Sequence, residues 1–149
     1  MSGQEFMNHL RSALAAVVDA ERNRVSEILN DSKTKIAAGV EKMKPIIILI
    51  RALKEEVGDV EGLEINPAEH GHMAVVRAQT SVTTESLSIS TNYENSAFVI
   101  EEFSSFSIDG SWREDRKEYS LSEDVMARVF EVVGKHIGGQ QVQQAHKDA

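Results

Sequence analysis

Glu69, His70, Gly71 and His72 form the one run whose residue types match those of a metal site. Residues two apart on a strand share a face, so His70 and His72 could hold one divalent ion through neutral imidazoles. A third ligand would come from Glu69 or from a neighbouring strand. The run follows Asn66-Pro67 and opens a strand-like segment, where exposed histidines are ordinary. Its spacing matches no specific metal motif. The expectation is no metal, with His70 and His72 kept as the candidates. The chain has no cysteine, which removes thiolate ligands, thiol nucleophiles and disulfides together.

Other candidates for chemistry are thinner. Glu101 and Glu102 are adjacent in a strand-like run and must point to opposite faces. Whichever faced a helix would have its carboxyl pushed up by burial and could act as a general acid or base. An unpaired buried carboxylate is costly, so exposure is the expected state. Gly134-Lys135 has the ending of a phosphate loop but lacks the upstream glycine and sits late in a helical pattern. No Gly-x-Ser-x-Gly elbow or His-Glu-x-x-His pair is present. The serines between Ser81 and Ser111 alternate as the wet face of strands. No catalytic residue and no cofactor is expected.

The elements that would position these groups follow from periodicity. Ser2 and Glu5 have capping-box spacing. Behind them Phe6, Met7, Leu10, Leu14, Val17 and Val18 recur at helical spacing, and the pattern runs on through Val25, Ile28 and Leu29. Asn30-Asp31-Ser32 either breaks this helix or lies on its wet face. Pro45 must end or kink it, and suits the first turn of a new one. Residues 45–57 are read as helix because Ile46, Ile50, Leu53 and Val57 share a stripe, although Ile46 to Ile50 alone resembles a buried strand. Gly58 supplies the C-cap.

After Gly58 the pattern turns to strands. Leu63 and Ile65, the run around Val75 and Val76, the alternation through Leu87 and Ile89, and Ala97 to Phe106 are each β-compatible. Asp109-Gly110 predicts a type I′ hairpin into Trp112 to Tyr119, a charge-rich edge strand. Ser120 and Glu123 suggest a second capping box, opening a helix that Gly138-Gly139 ends. The fold class is therefore α+β: helices over 3–57, an antiparallel meander of four or five strands over 61–119, and a helix over 121–138 packed on one sheet face. One domain over 1–139 and a polar, flexible tail over 140–149 are expected, with no internal repeat and no linker long enough to divide the chain.

Charge narrows the partners. The net charge is −8 over 149 residues, and all the excess lies after Val60. That argues against a nucleic-acid surface, which needs clustered Lys and Arg. Lys33, Lys35, Lys42 and Lys44 are a modest basic cluster, read as an ordinary solvated face. The longest apolar run, Ile46 to Ile50, is too short for a transmembrane segment. With no visible signal peptide, a cytoplasmic location is expected, and the sequon Asn30-Asp31-Ser32 has no weight.

What remains is surplus helical apolar surface. The helical stripe is longer than a small sheet can cover. The expected interaction surface is Leu10, Leu14, Val17, Val25 and Ile28, with Ile47 and Ile48 on the second apolar run, and Trp112, the only tryptophan, as a further anchor. These point to a non-catalytic protein-interaction or chaperone-like module acting as a homo-oligomer. In layout alone the chain resembles small acidic α+β chaperones for secreted proteins. The alternative is a small-molecule binder or enzyme with a pocket between sheet and helices, its mouth lined by His70, His72, Glu101 or Trp112.

Overall fold

A computed structural model of the chain describes residues 2–69 and 73–148. The elements run α1 (Gly3–Val57), β1 (Leu63–Glu69), β2 (Met73–Gln79), β3 (Thr83–Thr91), β4 (Phe98–Phe106), β5 (Trp112–Tyr119) and α2 (Ser122–Asp148). The fold is α+β, with a five-stranded antiparallel meander between a long N-terminal helix and a C-terminal one. The chain divides into two units, Met1–Ala37 and Ala38–Ala149.

The first unit is helical, and no described residue in it is buried. Its start is the expected capping box: the Glu5 N–H donates to Ser2 Oγ at 3.1 Å, and the Ser2 N–H donates to a Glu5 carboxylate oxygen at 3.2 Å. Arg24 clasps Glu21 at 2.6 Å and 3.0 Å, and Lys35 meets Asp31 at 3.1 Å. Asn30-Asp31-Ser32 does not break the helix. All three are exposed, and Asp31 is used in that i,i+4 pair, which supports helix rather than opposing it.

In the second unit, α1 continues to Val57 with Pro45 inside it. Of the two outcomes expected at Pro45, an end or a kink, the end does not occur. Pro45 leaves the Glu41 carbonyl without its helical donor. Both residues are exposed, so water can take that carbonyl, and the burial of Met43, Ile46 and Ile50 on either side holds the helix together. Gly58 ends it as expected, at φ 68°, with its N–H donating to the Lys54 carbonyl at 3.0 Å. A Cβ at Gly39 would fall 2.6 Å from Thr91 Oγ1 and 2.8 Å from the Tyr93 ring, so glycine is what lets the helix lie against the end of β3.

The sheet order is β1-β2-β3-β4-β5, each pair antiparallel. Register puts Ile65, Val76, Leu87 and Glu102 in one row, and Ala74, Ile89 and Ile100 in the next. This face carries the core, built with Met43, Ile46 and Ile50 of α1 and Val125, Val129 and Val132 of α2. The strand β1 runs through Asn66-Pro67. It is an edge strand with a register irregularity between Asn66 and Glu69, which is where a ladder tolerates proline. At the other edge, β5 is charge-rich and exposed almost throughout.

Three local expectations need correction. Asp109-Gly110 joins β4 to β5, but only Gly110 has positive φ, so the turn is not type I′. Asp109 instead accepts the Ser111 N–H at 2.9 Å, and hydrogen bonding to the Ser111 side chain first, then to its backbone, holds the carboxyl below the usual range. The helix α2 starts at Ser122, two residues beyond the proposed Ser120 cap. It also passes through Gly138-Gly139 to Asp148, where a flexible tail was expected. Two glycines cost roughly 1 kcal/mol each relative to Ala, and the Gln-rich run behind them is helix-forming. Gln144 supports that run by donating to Asp148 at 3.0 Å.

Candidate interaction surface

The first unit presents the apolar stripe expected of it. Phe6, Met7, Leu10, Leu14, Val17 and Val18 are exposed, as are Val25, Ile28, Leu29 and Ile36, each by 40–66 %. Leu10, Leu14, Val17, Val25 and Ile28 therefore lie exposed on one helix.

The second apolar run is split by the fold. Ile46 and Ile50 are buried in the core and Ile47 is packed against it. Ile48, 63 % exposed, and Leu49 are left on the surface. The helical twist explains the division, because five consecutive residues sample every side of a helix and only one side meets the sheet. Trp112 is 64 % exposed and stacks on Phe103, with ring centroids 6.3 Å apart. Both belong to the sheet face opposite the core, as do Ser105 and Glu114. Phe103, Phe106 and Trp112 border a shallow depression of about 480 Å³ whose remaining wall is rich in Ser and Thr hydroxyls.

The acidic candidates resolve differently. Glu101 is exposed on the outer sheet face, opposite Arg116. Glu102 faces α2, where Arg128 Nε donates to it at 2.5 Å and Arg128 Nη2 at 3.1 Å. Arg128 also meets Glu85 at 3.1 Å and Glu131 at 3.2 Å. The hydrogen bonds that Arg128 donates to Glu102, with the three negative charges, raise the guanidinium pKa still further. Glu102 is thus engaged in an ion pair between β4 and α2. Glu131 is held below the carboxylate range first by Lys135, at 2.8 Å, and then by Arg128.

Of the basic cluster, Lys35 pairs with Asp31 and Lys44 with Glu41, while Lys42 donates to the Ser96 carbonyl and sits 4.8 Å above the Phe98 ring. Three of the four lysines are thus engaged within the chain. His70 and His72 lie outside the described residues. Among the described residues no group of three or more His, Cys, Asp or Glu could hold a metal ion. No described helix is long and apolar enough to cross a membrane.

Sequence reasoning missed two contacts. The Arg128 cluster joins α2 to β3 and β4, and nothing local marks it. His136 is buried, and its Nε2–H donates to the Glu61 carbonyl at 2.8 Å. Its signal was available: His136 follows Val125, Val129 and Val132 on the buried stripe.

No family model, curated protein or solved structure matches the chain.

Proposed function

We propose that this chain is a non-catalytic protein-interaction module, chaperone-like in layout, that works in the cytoplasm as a homo-oligomer. The observation that carries the proposal is the apolar stripe from Phe6 to Ile36, borne by a unit in which no described residue is buried. A contiguous apolar surface of this length is unfavourable in water and marks a contact. The acidic candidates add support, since Glu102 is neutralised by Arg128 and Glu101 faces solvent. Light scattering behind size exclusion tests the proposal. More than one copy per particle is the expected result, and a strict monomer at every accessible concentration refutes it.

A second function is favoured by one observation, the depression beside Phe103 and Trp112. A flat ligand could stack on the exposed indole while Ser and Thr hydroxyls bond its edges. Trp112 is the only tryptophan, so its fluorescence reports on this place alone. A metabolite screen that leaves both the fluorescence and the melting temperature unmoved rules this function out.

A further inference from the structure

The exposed helix carries an eleven-residue pattern of residue types rather than of letters. The blocks 3–13, 14–24, 25–35 and 36–46 align position by position. The first position holds Leu14, Val25 and Ile36. The fourth holds Phe6, Val17 and Ile28, and the fifth Met7, Val18 and Leu29. The ninth is always basic: Arg11, Arg22, Lys33, Lys44. Side-chain class recurs more widely than identity, so matching letters alone shows little of it. Eleven residues in three turns is about 3.67 per turn, a period that keeps a stripe almost straight and coils it gently to the right.

We propose that this stripe pairs α1 with α1 of a second copy of the chain, in a nearly straight, right-handed coiled coil. The proposal rests on the homo-oligomeric function above and names its contact surface. Three observations select a second copy as the occupant. The first is period, since interlocking along several turns needs a partner with the same repeat, and an identical helix supplies it. The second is area. Ten large apolar side chains, each 40–66 % exposed, offer on the order of 800 Å² per copy, the share of one partner in a standard specific interface. The third is charge. The segment through Ala37 holds five acids and five bases, so two copies of it meet without net repulsion, while the rest of the chain carries the whole −8.

The competing occupant is an anionic bilayer, because the ninth-position cations flank the stripe. The eighth position weighs against it. There Glu21 and Ser32 interrupt the stripe, and a carboxylate facing acyl chains is costly. In a helix pair the same carboxylate, already clasped by Arg24, becomes a polar layer that fixes register. In the fourth block the same position is Met43 and the fourth position is Gly39, and both are buried against protein.

The test compares two double variants of the full chain. Leu14→Asp with Val25→Asp places charge on the stripe. Ala16→Asp with Asn23→Asp adds the same charge on the opposite side of the helix. Self-association is read by light scattering and sedimentation, and integrity of the second unit by its thermal transition. The stripe variant should lose self-association by more than tenfold with the thermal transition of the second unit kept, while the control stays within about twofold. Equal losses in the two variants overturn the proposal. An oligomer that survives the stripe variant overturns it too, but leaves the homo-oligomeric function standing. A monomeric wild type defeats both. A monomer that binds phosphatidylserine vesicles through the stripe overturns it in favour of a lipid surface.

Discussion

Gly62→Ala should destabilise the second unit far more than Gly58→Ala, although both glycines have the same backbone conformation. Gly62 has φ 76° and Gly58 φ 68°, a region that costs a residue with a Cβ about 1 kcal/mol. The surroundings differ. A Cβ at Gly58 would meet nothing within 4 Å, whereas at Gly62 it would fall 2.1 Å from the Gln79 carbonyl oxygen. That oxygen is backbone and cannot swing aside. Relief requires moving the segment whose carbonyl accepts the Gln79 N–H at 2.7 Å. It also disturbs the neighbouring Glu61 carbonyl, which holds His136. Two hydrogen bonds at about 1 kcal/mol each add to the strain. The expected losses are about 3 kcal/mol for Gly62→Ala and about 1 kcal/mol for Gly58→Ala. In thermal melts followed by circular dichroism, that is roughly 12 °C against 4 °C, at about 4 °C per kcal/mol for a unit of this size. If the two variants melt together, the close approach at Gly62 does not exist and the packing of α2 on the first hairpin is wrong.

Two further outcomes follow from the charged contacts. Arg128→Met should cost about 1–2 kcal/mol, because Glu102 and Glu85 lose their cation while still partly covered by α2. Adding Glu102→Gln should recover part of it, and a urea-unfolding cycle with no coupling between the two sites would remove the pair from the account. Glu118 accepts from the Asn92 and Asn95 side-chain amides at 2.9 Å and 3.2 Å, and those bonds lower its pKa. A depressed carboxyl contributes ordering that is fully present above its unfolded pKa and is lost as pH falls through the folded value. Protection of the amides over residues 92–97, relative to their intrinsic exchange rates, should therefore persist into the ordinary carboxylate range and fall only below it. Loosening at higher pH, or an unchanged acid limb in Glu118→Gln, contradicts this.

Much of the fold is legible because its signals are local and periodic. The capping box at Ser2 and Glu5, the C-cap at Gly58 and the alternation through Leu87 and Ile89 each depend on neighbours a few residues away. Where local rules misled, a wider contact decided. Pro45 should stop a helix, but apolar residues around it are buried against the sheet and hold both sides. Gly39 is unfavourable in an isolated helix, and its reason is Thr91, which is far away in sequence. Asp109-Gly110 marked a turn correctly and its type wrongly, because the Asp109 side chain caps Ser111 in place of adopting positive φ. The Arg128 cluster was illegible for the same reason as Gly39: its three carboxylates come from β3, β4 and α2, and only the register brings Glu85 and Glu102 to one face.

The two units differ in what their stability requires. The second has a core closed by both helices and the sheet, and no buried side-chain polar atom among its described residues lacks a partner. It needs no outside contact to account for its fold. Among its described residues the first has helix propensity, one cap and two ion pairs, each worth a fraction of a kcal/mol to about 1 kcal/mol. Helical stability in proteins comes mostly from packing an amphipathic face. A helix with that face exposed along its length is therefore incompletely explained by its own chain. The helix pairing proposed above would contribute on the order of 25 cal/mol for each Å² of apolar surface it covers. The stripe variant removes that contribution alone, so helicity of the first unit should rise and fall with association while the second unit's melting stays fixed.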